Sequence, residues 1–148
     1  MRECDLSTWA AMRLSGNNSA DGGEDNPIEM VCLLERNDPV CIFLQNQLRQ
    51  VQEEAQLTQV TTILEDDFLE CDQQLLQELG ACAFPTTLLL CKGKPVRVLR
   101  QGYRESKAIV GPVSTNDLVD FIRHAREKLV YSSSDFETML TEAIPLSF

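Results

Sequence analysis

A proline set directly before an apolar strand constrains the fold of this chain more than any other stretch. Residues 79–102 read LGACAFPTTLLLCKGKPVRVLRQG. Gly80 ends a helix, and Pro85 precedes TTLLL, which has the length and composition of a buried strand. Lys92-Gly93-Lys94 supplies a tight turn. Pro95 then opens VRVLR, which alternates apolar and basic residues, and Gly102 closes it. Strand, turn and strand at this spacing predict an antiparallel hairpin. Proline cannot donate to a ladder, so it belongs at a strand's start or edge. A cis X-Pro bond is a feature of such positions, and the residues alone leave cis and trans both open.

The chain before the hairpin reads as strand, helix, strand, helix. Residues 1–15 hold a short helix in which Trp9, Met12 and Leu14 pack. GNNSADGGEDNP, at 16–27, is a flexible loop. IEMVCLLE, at 28–35, is a near-continuous apolar run, expected for a central strand covered on both faces. Asn37 or Asp38 then caps a helix with Pro39 in its first turn. Cys41, Leu44, Leu48, Val51 and Ala55 recur every three or four residues, which makes one buried face. Ile42 and Phe43 lie off that stripe, as core on a second face or as an exposed contact, and at least one is expected in the core. LTQVTTIL, at 57–64, is the next strand, and a short helix over 72–79 turns Leu75, Leu76 and Leu79 inward.

After the hairpin, 103–113 is a connection without a clear period. Ser114 and Asp117 approximate a capping box for a last helix with Leu118, Val119, Phe121, Ile122, Ala125 and Leu129 inward and His124 outward. The order predicts an α/β sandwich, a mixed central sheet flanked by helices. The expected organisation is an N-terminal segment with a flexible loop over 1–27, a domain over 28–130 and a polar tail over 131–148.

Composition excludes several functions. The 148 residues carry a net charge of −10, so autonomous binding of a phosphate backbone is not expected. A basic protein partner fits that surface better. No apolar run reaches the roughly 18–20 residues of a membrane span, and the N-terminus lacks a secretory h-region. The expected compartment is therefore the cytosol or nucleus. The six cysteines, at 4, 32, 41, 71, 82 and 91, include no C-x-x-C pair, and His124 is the single histidine. Neither a structural zinc site nor any other metal or cofactor is expected. Cys32 and Cys91 fall inside strands and read as core. The acidic run Glu65-Asp66-Asp67 reads as a solvated strand end.

From about residue 28 to 128 the pattern resembles thioredoxin. The hairpin FPTTLLLCKGKPVRVLRQG matches the segment that carries that fold's cis-proline, which puts Pro85 in the cis position. Where thioredoxins carry C-G-P-C, this chain has Asn37-Asp38-Pro39-Val40. The resemblance therefore implies that both redox cysteines are missing. Dithiol exchange needs an attacking thiolate and a resolving thiol, and neither position supplies sulfur.

D-P-V-C at 38–41, the Pro-Thr-Thr strand and the linker SKAIVGPVST resemble more narrowly the spliceosomal thioredoxin-like Dim or Dib proteins of the U4/U6.U5 tri-snRNP and their Dim-like paralogue. Pro85 agrees with the paralogue and with thioredoxin; the main Dim protein carries Cys there. A family disulfide to Cys41 therefore lacks its partner at 85, and Cys82 is the nearest substitute.

The narrower resemblance implies a nuclear, non-enzymatic splicing component that works through tri-snRNP proteins, touching RNA only within the assembly. Asn37, Asp38, Pro39, Val40, Phe84 and Pro85 would line a peptide groove. Arg97, Arg100, Arg104 and Lys107 form a small basic patch. The alternatives are a chaperone or assembly factor of another complex, and a single-cysteine thiol enzyme or sensor using Cys41.

Overall fold

The computed structural model describes residues 2–14, 28–91, 94–100, 106–131 and 144–146. Its elements are β1 (Arg2–Cys4), α1 (Leu6–Leu14), β2 (Ile28–Glu35), α2 (Pro39–Glu54), β3 (Gln59–Glu65), α3 (Gln73–Leu79), β4 (Thr86–Cys91), β5 (Lys94–Pro95), β6 (Val98–Arg100), β7 (Ile109–Val110), α4 (Thr115–Tyr131) and β8 (Ile144–Leu146). A 3-10 turn, Phe68–Glu70, lies between β3 and α3.

The main sheet is mixed, with strand order β1-β3-β2-β4-β5 and β7 also paired to β4. β1 and β2 run parallel to β3, while β4 is antiparallel to β2. Strands buried on both faces need apolar residues at both parities. β2 meets that need, with Met30 to Leu34 all buried. Its even positions, Met30, Cys32 and Leu34, join one core with α2 and α4. Its odd positions, Val31 and Leu33, join a second core with Leu6, Trp9, Phe68, Leu76 and Leu79. The chain is thus an α/β sandwich with helices on both faces.

α2 forms as its sequence dictates. Asp38 is its N-cap, accepting from Val40 N at 3.0 Å, and Pro39 opens the first turn. Cys41, Leu44, Leu48, Val51 and Ala55 are all buried. Arg123 and Arg126 of α4 donate to the carbonyls of Glu54 and Gln56, which ties α4 to the end of α2 where acceptors are free. α3 is capped by Asp72 and ends at Gly80, whose φ of 78° is the left-handed conformation that glycine adopts freely. Ser114 Oγ accepts from Asp117 N at 3.2 Å at the start of α4. Within α4, Leu118, Val119, Phe121, Ile122 and Ala125 are buried and His124 is exposed.

Three expectations need correction. First, Ile42 and Phe43 are 42% and 67% exposed, so neither is core. At about 100° per residue they lie to either side of the stripe that meets the sheet. Second, the hairpin's second strand is broken. β5 pairs with Leu90 and Cys91, and Val96 N still donates to Leu89 O, but the chain then leaves the edge of β4. β7 takes the rest of that edge, opposite Thr86 and Thr87, and β6 pairs in parallel with β8 instead. Alternation identified the inward residues, since Val96 and Val98 are both buried, but not their partner. Third, 103–113 contains a strand, β7.

The N-terminal segment contributes to both layers. β1 extends the sheet, and Trp9 is 1% exposed. Met12 packs against the same core. The expected loop at 16–27, the turn at Lys92-Gly93 and most of the tail lie outside the described residues.

Candidate functional site

β2 and β3 finish side by side, Glu35 opposite Glu65. Arg36 N donates to Glu65 O at 3.0 Å, and Asp38 N to Glu35 O at 3.3 Å, so the chain turns sharply into α2. Phe68 N donates to a Glu35 carboxylate oxygen at 3.2 Å, which draws the 3-10 turn over the same end of the sheet. Phe68 is buried and stacks on Phe84, with ring centroids 4.1 Å apart and planes 10° apart.

β4 starts at this end because it is antiparallel to β2, with Thr86 opposite Leu33. The Phe84–Pro85 peptide is cis, as the thioredoxin resemblance implied. Gly111 N donates to Pro85 O at 2.8 Å, and the Thr86 hydroxyl donates to Ala83 O, so the loop is held from both sides. Asn37, Pro39 and Val40 are exposed, Asp38 and Phe84 are half-buried, and Pro85 is buried. The topology brings these six groove candidates to one end of the sheet.

Two exposed apolar neighbours stand outside the six groove candidates. Phe43 and Leu69, 67% and 82% exposed, lie on α2 and the 3-10 turn at this end. Phe43 was legible as an aromatic off the buried stripe. Leu69 carried no signal, because the turn that presents it has no period.

Cys41 does not face the groove as a thiolate. It is 1% exposed, and its Sγ donates to Asp38 Oδ2 at 3.5 Å. Burial pushes its thiol up to about 11; a hydrogen bond with the Glu35 backbone opposes the shift, and the Asp38 charge adds to it. A helix N-terminus alone would have acted the other way. Burial also pushes Cys32 up, to about 12. Cys82 is exposed, and all six cysteines are free thiols, so no Cys41–Cys82 disulfide is present.

The sign of the pH dependence follows. An unfolded thiol titrates near 9.0, whereas folded Cys41 titrates near 11. Between those values the unfolded chain has already lost a proton that the folded chain keeps. The stability linked to Cys41 is therefore fully present below pH 9 and is lost as pH rises toward 11. Urea midpoints at pH 8 and pH 10.5 should fall at the higher pH, and by less in Cys41→Ala. Iodoacetamide at pH 8 should alkylate Cys82 and spare Cys41 until the chain is unfolded, as peptide mass spectrometry would show.

The basic patch is only partly described. The antiparallel bridge Val98↔Ser106 places Arg97 and Lys107 on adjoining backbones. Lys107 Nζ reaches Glu78 O at 3.5 Å, near the end of α3. Arg104 and the Arg100 side chain lie outside the described residues. Among the described residues no group of His, Cys, Asp and Glu could hold a metal ion, and no helix is long and apolar enough to cross a membrane.

No protein-family model and no curated protein matches the chain. Solved structures do match. Chloroplastic thioredoxin z is 15% identical with a TM-score of 0.52, over 83% of this chain and 91% of that one. A chain from the complex of ferredoxin:thioredoxin reductase and thioredoxin f2 is 17% identical with a TM-score of 0.52, over 84% and 94%. Trxlp from Edwardsiella tarda EIB202 is 19% identical with a TM-score of 0.51, over 81% and 97%. The fold is thioredoxin-like. This thioredoxin-like chain keeps the helix start and the cis-proline loop side by side, but has Asn37, Asp38, Pro39 and Val40 at the helix start.

Proposed function

We propose that this thioredoxin-like chain is a redox-inactive binding module, and that it serves pre-mRNA splicing in the nucleus as a component of the U4/U6.U5 tri-snRNP. One observation carries the redox-inactive part. The only cysteine near the helix start, Cys41, is buried against Asp38 and remains protonated at neutral pH. A neutral, covered thiol is a poor nucleophile and a small hydrophobe. The site then acts by shape, with Val40 and Phe43 exposed at the start of α2 and Phe84 and Pro85 in the cis-proline loop before β4. An extended peptide can use such a groove through backbone hydrogen bonds and shallow apolar pockets.

Support for the spliceosomal assignment is the D-P-V-C sequence at 38–41, with Pro-Thr-Thr at 85–87 and the linker into α4, in the manner of the Dim-like proteins. The test is affinity purification of the tagged chain from nuclear extract with mass spectrometry. Tri-snRNP proteins should dominate the recovered set. Recovery without any splicing component would sink the assignment and leave a chaperone or assembly role in another complex.

A further inference from the structure

The groove is ringed by charge of one sign. Glu35 and Glu65 end their strands there, Asp38 caps α2, and Asp66, Asp67 and Glu70 follow β3. Across residues 35–43 and 65–72 the single cation is Arg36, and it is paired to Asp66 at 3.0 Å. Several of these carboxylates accept structural hydrogen bonds: Glu35 from Phe68 N, Glu65 from Leu6 N, and Asp67 from Leu69 N. Such bonds hold the carboxylates in place. At the same end of the sheet, Val40 and Phe43 on the start of α2 and Leu69 on the 3-10 turn are exposed apolar groups.

We propose that this end of the sheet takes an apolar peptide segment flanked by lysine or arginine, contributed by a partner protein. The proposal rests on the binding-module reading and adds the chemistry of the ligand. Apolar contact with Phe43 and Leu69 supplies affinity, and the carboxylate ring selects flanking charge and speeds encounter. The ring also disfavours occupants from the chain itself. Residues 135–142, DFETMLTE, carry Asp135, Glu137 and Glu142 and no cation, and a second copy brings a net charge of −10. Like charges brought together on a binding surface are repelled. Nucleic acid is repelled for the same reason.

The test selects linear dodecapeptides from a random phage library on the full-length chain and measures the winners by fluorescence anisotropy. Peptides with one aromatic or branched aliphatic residue between lysines or arginines should be enriched. Leu69→Ser should weaken them by about tenfold. Asp66→Asn with Glu70→Gln, neither of which caps a helix, should weaken them by about fivefold at low salt. That difference should shrink above 0.3 M salt, where the screening length drops below about 6 Å. Peptides that lose affinity with Leu69→Ser but show no basic preference and no response to the charge variants would overturn this proposal and leave the groove reading standing. Selected peptides indifferent to Leu69→Ser, or no selected peptide at all, would overturn both.

Discussion

Trp9→Ala is expected to destabilise the chain by about 3–5 kcal/mol, the range for deleting a large buried aromatic. Trp9 is 1% exposed and sits among Leu6, Leu33, Ile63, Phe68 and Leu88, on the face of the sheet that α1 and α3 cover. Its removal opens a cavity beneath α1, and the sheet, pinned by β1 against β3, cannot collapse to fill it. A domain of this size is stable by about 5–15 kcal/mol, so the loss is a large fraction of the total. Urea unfolding followed by far-UV circular dichroism measures it, since the substitution removes the chain's single tryptophan. Trp9→Phe should retain much of the stability. An unchanged midpoint in Trp9→Ala would mean that α1 does not dock on the sheet in solution.

How legible such positions are in sequence depends on length and period. β2, α2 and α4 carry their burial pattern in an unbroken run, and their inward residues follow from it. The Gly80 terminus and the Asp38 cap follow from local chemistry that needs no tertiary partner. β1 and β7 are three and two residues long, too short to show an alternation. They are strands because a neighbouring edge is open to them, which is a property of the sheet. The break after Val96 has the same origin: β5 and β7 share one edge of β4, and sequence cannot apportion it.

The candidate site divides in the same way. Asn37 to Val40 and the Phe84–Pro85 loop are named by sequence because the helix start and the proline mark them. What joins them is long-range: the Phe68–Phe84 stack and the bonds from Phe68 N to Glu35 and from Gly111 N to Pro85 O. The acidic run after β3 read as a solvated strand end. The strand pairing of Glu65 with Glu35 and the Arg36–Asp66 ion pair bring that run to the end of the sheet where α2 starts, which no local reading contains.

Phe43→Ser is expected to separate binding from folding. Phe43 is 67% exposed on the first turns of α2, whose grip on the sheet comes from Cys41, Leu44, Leu48 and Val51. Losing an exposed ring leaves those contacts intact, so stability should change by no more than about 0.5 kcal/mol. An aromatic anchor at the centre of an interface carries about 2 kcal/mol or more, roughly a thirtyfold change in affinity. Proteins recovered from nuclear extract by the tagged wild-type chain should therefore fall to background with Phe43→Ser. They should persist with Gln77→Ala, an exposed change on α3. A ring held this far into solvent gains nothing for the isolated chain. Equal recovery by Phe43→Ser and wild type, at matched stability, would remove the helix start from the binding surface and move the search to the face carrying Arg97 and Lys107.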